Sequence, residues 1–386
     1  MTTLAIATFL AFGTLLVLFG ANATEIIASL DLDYADFGLL GSVLSIGLGT
    51  GIVAAGPASD RLSRRWLYIG SCLVVVVAAT TLGPDTTYQR LIVHMIVIGL
   101  GAGFYETVLN ATVVEEFPDT AARRLLFIHS GAPLAACIVP LLIALLRETT
   151  SIQWHETFRY AGLMHLPLML AACFVTMDFP RPERPERESA GESFEPLPRV
   201  DHLAFIAICA ATFTYVGVET ALTVFVVDHA TTDLGLTAAR AARAISAFWG
   251  GLFIGRLAAG LSPQSPGAGM TAFFATVAAA MLVLFESGLF GSVEIAMVAI
   301  GLALGGVFPI MIGLAGRALP SSPATAVGLA GGLGSAGGFV VPWATGGLAS
   351  AAGLPFAFAS LAGWIVLLAA AAAIVHFRQP RSKSVS

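Results

Sequence analysis

Glu25, Glu106 and Glu219 are three carboxylic acids inside runs of apolar residues. An ionisable group at the centre of a membrane helix costs about 2.5–3.5 kcal/mol, so each needs a reason to be there. Each also has polar company at helical spacing. Asn22 stands three residues before Glu25, Asn110 four after Glu106, and Tyr215 four before Glu219 with Thr223 four beyond, so each set shares one helix face. A carboxyl in a low-dielectric cavity favours its neutral form, and can take a proton on one side and release it on the other. When charged, the same group accepts hydrogen bonds from the hydroxyls of a solute. Glu25, Glu106 and Glu219 are therefore all candidates for carrying a proton or cation. Asn22, Asn110, His129, Tyr215, Glu219 and Trp249 are the candidates for binding a solute.

Blander roles stand beside these. Glu25 lies near the outer end of its run, where water can reach it. Glu106 can be held by a structural partner such as His129, which itself fits packing, ligand binding or proton carriage. Glu219 belongs either to the site or to the packing of its helix. Asp228, Glu286 and Glu294 lie near outer ends and are expected to be wet. Glu115 and Glu116 lie at an inner end, within reach of Arg123 or Arg124, and His94 and His165 read as structural. No Lys or Arg is expected in the central cavity, because Arg256, near an inner end, reads as reaching the interface or neighbouring helix ends. A cavity without a base favours a neutral, hydroxyl-rich solute or a cation, and the donors and acceptors of Asn22, Asn110, Tyr215 and Thr223 favour the neutral one. Phe248, Trp249, Phe308 and Trp343 are candidate aromatic walls.

Several chemistries find no support. Cys72, Cys137, Cys173 and Cys209 all fall in apolar runs and form neither a disulfide framework nor a metal-ligand spacing. His155-Glu156 lacks the second histidine of a zinc-protease motif, and no nucleophile–base set is evident. No enzyme activity, cofactor, metal or nucleic-acid partner is expected.

The elements that must position these residues are membrane helices. Hydrophobic residues make up 57% of the 386-residue chain and charged ones 11%, less than half the roughly 25% of soluble domains. The solvent for so much apolar surface must be lipid. At about 20 residues per span, twelve candidates lie near 4–30, 35–58, 66–83, 88–117, 122–147, 155–177, 201–229, 237–261, 267–290, 293–319, 323–350 and 354–377. The N-terminus lacks basic residues and its first apolar run is too long for a cleavable signal. A segment rich in Pro, Glu and Arg at 178–200 reads as a linker between a six-helix bundle at 1–177 and a second at 201–386. Gly260-Leu-Ser-Pro-Gln264 after span 8 faintly echoes Gly56-Pro-Ala-Ser-Asp60 after span 2, as two repeats would. With the N-terminus inside, 14 of the 19 Lys and Arg fall on the inner side, which predicts two cytoplasmic termini.

The loop after span 2, Gly56-Pro-Ala-Ser-Asp-Arg-Leu-Ser-Arg-Arg65, sets one acid among three arginines. This Gly-x-x-x-Asp-Arg-x-x-Arg-Arg arrangement resembles the signature loop of the major facilitator superfamily of transporters. The resemblance implies a fold of twelve transmembrane helices in two six-helix bundles, with Gly56, Asp60, Arg61 and Arg65 in a gating loop. Gly101-x-Gly103-x-x-Glu106-Thr107-x-x-Asn110, the Tyr-Val-Gly-x-Glu run ending at Glu219, Phe248-Trp-Gly-Gly-Leu-Phe-Ile-Gly-Arg256 and Gly305-Gly-Val-Phe-Pro309 are similar to the fucose:proton symporter family. That likeness implies sugar uptake coupled to H+ or Na+, with Glu25 and Glu106, at the positions of the acids in spans 1 and 4, as the proton- or cation-coupling residues. It also implies a multi-pass monomer in the inner (plasma) membrane. Departures are a Glu where the span 1 acid is usually Asp, and a span 5 start thinned to Leu125-Leu-Phe-Ile-His129.

A proton-coupled exporter of drugs or metabolites is the alternative. The Gly131-Ala-Pro133 of span 5 lacks the paired glycines common in such exporters. A non-transporting receptor would share the same scaffold.

Overall fold

The computed structural model describes residues 1–59, 61–116, 121–177, 201–261, 267–289, 291–318 and 323–378. Asp60 and the 178–200 linker lie outside the described residues. The first span is broken at Asn22 into α1 (Thr2–Ala21) and α2 (Ala23–Leu30). It is followed by α3 (Tyr34–Ser59), α4 (Arg64–Thr80) and α5 (Tyr88–Glu116). The fifth run divides into α6 (Ala121–His129) and α7 (Gly131–Thr149), and the sixth into α8 (Trp154–Leu163) and α9 (His165–Ala172). In the second half, α10 (His202–Asp228) continues into a π-helical turn, His229–Asp233, and then come α11 (Ala238–Leu261) and α12 (Ala268–Glu286). The tenth run divides into α13 (Val293–Leu304) and α14 (Val307–Ala318), and α15 (Pro323–Ala352) and α16 (Leu354–Arg378) close the chain. Counted through their four breaks, the sixteen α-helices among the described residues form twelve runs at the places hydropathy predicts. Nine helical segments among the described residues are long and apolar enough to cross a membrane.

Three of the breaks have one cause. Pro133, Pro167 and Pro309 are each the third residue of the helix after the break. Proline has no N–H, so the carbonyls of His129, Leu163 and Gly305, four residues earlier, lose their helical donors.

Packing within each half rests on the same device. Gly47 and Gly51 of α3 face Gly99 and Gly103 of α5, so closely that a Cβ on Gly51 would overlap the Leu100 carbonyl oxygen. Gly251 and Gly255 of α11 face Gly301 of α13 and Gly305 beyond it in the same way. Small residues four apart let membrane helices approach backbone to backbone. The internal repeat is thus carried by glycine spacing in spans 2 and 4 and again in spans 8 and 10, a stronger echo than the loop comparison.

Between the halves, α3 packs on α15, α7 on α11 and α1 on α10. At the end of the molecule marked by the turn at 31–33, Tyr34 donates a hydrogen bond to Asp228 Oδ2 at 2.8 Å, and Thr24 lies 3.1 Å from Thr231. Asp228, expected to be wet, is instead 2% exposed, because hydroxyls from the other half reach its carboxylate. Glu286, also expected to be wet, lies 3.2 Å from the buried His229 ring.

Candidate binding cavity

A cavity of about 180 Å³ lies between the two halves. Its wall from the first half includes Glu106 of α5 and His129 at the end of α6, and from the second Tyr215 and Glu219 of α10 with Trp249 and Arg256 of α11. Each helix brings its polar residue inward for a local reason. Glu106 follows Gly103, whose bare backbone seats α5 against α3. His129 ends α6 at the Ser130–Pro133 break, so its ring turns to the interior and packs 4.3 Å from Phe9. Its Nε2 lies 3.0 Å from Asn110 Oδ1, which sets Asn110 behind His129 as a support rather than in the cavity wall. The Glu106 carboxylate has no hydrogen-bond partner among the described residues.

On the opposite wall, Tyr215 donates to Glu219 Oε1 at 2.8 Å, one turn along α10. Tyr215 stacks on Phe308 at 6.0 Å, which makes Phe308 part of the wall. Of the other aromatic candidates, Phe248 is buried in the core and Trp343 is half exposed, and neither lines the cavity.

Arg256 overturns the expectation of a cavity without a base. Its guanidinium lines the cavity with only 12% exposure, its Nη2 3.9 Å from Glu219 and 3.4 Å from Tyr215 Oη. Its Nε donates to the Gly305 carbonyl at 3.4 Å, the acceptor that Pro309 leaves free. An arginine stem spans more than a helical turn, so the Cα position near the inner end did not reveal where the charge sits. The Gly255-Arg256 pair and the run from Gly305 to Pro309 were both legible in the sequence, but not their contact.

Asn22 and Glu25 lie elsewhere. Arg147, near the end of α7, donates to Asn22 Oδ1 at 2.6 Å and forms an ion pair with Glu25. The Trp154 backbone N–H donates to Glu25 Oε1 at 3.0 Å, and Asn22 donates to Thr157 at 3.1 Å. This network ties the break in the first span to α7 and α8. None of its members lines the cavity. Glu25 is therefore neither simply hydrated nor beside Glu106.

In the loop after α3, Gly56 falls in the last turn of that helix, and Arg61 is exposed. Arg65, in the first turn of α4, donates from Nη2 to the Val175 carbonyl at 3.1 Å, which ties the loop to the end of the sixth run. At the same end, Arg124 donates to Thr2 at 3.2 Å.

Comparison with known proteins agrees with this architecture. The profile described as "Major Facilitator Superfamily" matches residues 4–342. The sodium-dependent glucose transporter 1A of Mus musculus is 21% identical over 274 residues, 63% of this chain and 64% of that protein. The multidrug resistance protein MdtM of Salmonella typhimurium is 30% identical over 150 residues, 38% of this chain and 35% of that protein. The chain thus spans less than two thirds of the length of these curated relatives. Among solved structures, a point mutant of the nucleoside transporter NupG superposes with a TM-score of 0.73 at 14% identity, covering 97% of this chain and 99% of that one. A bacterial homologue of the human lysosomal transporter Spinster, inward-facing and occupied, gives 0.69 at 17% identity, covering 97% and 95%. With twelve helical runs around a central polar cavity and a profile match over most of its length, this multi-pass membrane protein belongs to the Major Facilitator Superfamily.

Proposed function

We propose that the chain is a secondary transporter that carries a small, hydroxyl-rich solute together with H+ or Na+ by alternating access. The observation that carries this reading is the cavity walled by both halves, with the unpartnered Glu106 carboxylate on one side and the Tyr215–Glu219–Arg256 cluster on the other. Two six-helix bundles, 1–177 and 201–386, rock about that site, and the 178–200 segment links them on the cytoplasmic side with both termini. Glu106 takes up the coupling cation, His129 held by Asn110 offers a ring nitrogen to the solute, and Trp249 and Phe308 form apolar walls. The gating loop of Gly56, Asp60, Arg61 and Arg65 latches the inner end. The location is the inner (plasma) membrane and the working unit a monomer. Glu25, held by Arg147, braces the first bundle, so coupling is assigned to Glu106 in preference to it. The neutral-sugar expectation rested on a cavity without a base, and Arg256 removes that ground.

Likeness to a sodium-dependent glucose transporter supports the polar-solute reading. Likeness to multidrug resistance proteins supports the exporter alternative. The cavity of about 180 Å³ is smaller than the roughly 300–1,000 Å³ that hold drug-sized ligands, which weighs toward a small metabolite.

The test is uptake of labelled sugars and related small solutes into proteoliposomes under an imposed proton or sodium gradient. Accumulation of one solute, abolished in Glu106→Gln, supports the proposal. Undiminished uphill uptake by Glu106→Gln removes that residue from coupling. Movement of a weak-base dye with no movement of any polar solute favours the exporter.

A further inference from the structure

Arg256 is a mostly buried charge facing the cavity with poor company. Its three protein contacts, to Gly305 O, Tyr215 Oη and Glu219 Oε1, lie at 3.4, 3.4 and 3.9 Å. Charge-assisted N–H···O bonds settle at about 2.7–2.9 Å, so these hold the guanidinium in place without satisfying it. Nη1 has no hydrogen bond among the described residues. Glu219, in contrast, already has a good partner in Tyr215 at 2.8 Å and does not depend on the arginine. A second unpartnered donor, the Trp249 indole N–H, lies in the same wall. A mostly buried guanidinium this far from its counterion leaves its fork free to hold an anion.

We infer that the occupant is the carboxylate of the solute: the transported compound is a small polyhydroxylated acid, and Glu219 only stands in for it at Arg256 while the cavity is empty. This rests on the transporter reading above and narrows its substrate class. The planar fork of Arg256 accepts a carboxylate in bidentate fashion. The hydroxyl-bearing end of the solute then reaches the first half, where Glu106 and His129 offer a carboxylate and a ring nitrogen. A solute held at one end by each half is what a rocking mechanism needs. The charge count also fits cation coupling. Once the acid is bound, the cavity holds one guanidinium against three carboxylates, those of the solute, Glu219 and Glu106, and an accompanying cation offsets one of the two excess negative charges.

The experiment uses the full-length purified protein, with binding read by quenching of tryptophan fluorescence and transport by uptake into proteoliposomes. The probes are gluconate and galactonate against glucose, galactose and fucose. The hexonates are expected to bind and accumulate in preference to the neutral sugars. Arg256→Gln should weaken hexonate binding by about 30-fold or more, the usual consequence of removing one member of a buried charge pair. Glu219→Gln, which removes the internal competitor and keeps the Tyr215 contact, should bind hexonates more tightly than the unaltered protein. A gain in Glu219→Gln cannot come from misfolding, and an unchanged thermal unfolding midpoint of Arg256→Gln in detergent shows that its loss does not either. The inference is overturned if a neutral sugar accumulates and no hexonate does, an outcome that leaves the transporter reading intact. It is also overturned if hexonate affinity is unchanged in a folded Arg256→Gln, or if neither class of probe binds. If no polar solute accumulates under any gradient while hexonates still bind, the transporter reading fails and the carboxylate site stands.

Discussion

The Nε of Arg256 lies 3.4 Å from the carbonyl oxygen of Gly305, the acceptor stripped of its helical donor by Pro309. A break in the tenth run and a charge on the eighth are thereby one feature. The proline frees the carbonyl, the carbonyl holds the stem of the arginine, and the guanidinium is left facing the cavity. The same helices are pressed together by Gly251, Gly255 and Gly301, so the bond forms where the backbones are closest.

Replacing Pro309 by Ala returns an N–H that can bond to Gly305, and so competes with Arg256 for its anchor. A hydrogen bond to a charged group contributes about 1.5 kcal/mol, so the KM for solute is expected to rise about tenfold. Proteoliposome uptake measures this directly. An unchanged KM would show that the arginine is positioned by Glu219 and Tyr215 alone.

The Glu25–Arg147 pair is a brace by position. Both side chains are more than two-thirds buried, and they join the first span to the fifth. Glu25→Ala should lower stability by about 1–3 kcal/mol, because it strands Arg147 away from water. The double variant Glu25→Gln/Arg147→Gln should recover part of that loss and retain uphill uptake. Thermal unfolding in detergent gives the first quantity and proteoliposomes the second. Loss of uphill uptake in a stable double variant would return Glu25 to a coupling role.

Tyr34 and Asp228 join the halves at one end of the cavity through a 2.8 Å bond. Removing the hydroxyl in Tyr34→Phe leaves a buried carboxylate with only the longer contact to Thr24 and should open that end more often. A cysteine placed at Thr220 in the cavity wall is expected to react several-fold faster with an impermeant thiol reagent applied from the side of the 31–33 turn. Equal rates with and without Tyr34→Phe would mean that the α3–α15 packing keeps that end shut.

Close glycine packing makes a prediction for both halves at once. A valine at Gly51 or at Gly255 has to push aside a carbonyl oxygen of the facing helix, and overpacking of this kind costs about 1–3 kcal/mol. Gly70 has no neighbour within 4 Å of an added Cβ, so Gly70→Ala should leave stability unchanged or raise it slightly. Melting temperatures of the three variants compare these directly.

By itself the sequence determined the solvent and the twelve helical runs. Apolar run length and four-residue glycine spacing are read along one helix, whatever that helix packs against, whereas proline is not decisive: Pro133, Pro167 and Pro309 follow breaks and Pro140 and Pro342 lie inside continuous helices. The glycine pairs at 47/51, 99/103, 251/255 and 301/305 were equally legible and announce the repeat more clearly than the loop echo does. Which acids share a cavity was a matter for the tertiary structure alone. Glu25 and Glu106 look equivalent in sequence, but the partner that takes Glu25 out of the cavity, Arg147, is 122 residues away. Arg256 and Gly305 are 49 apart, and their contact depends on how α11 is rotated against α13 and on the rotamer of a long stem. Helix rotation and side-chain direction are set by packing between segments distant in the chain, and no local spacing encodes them.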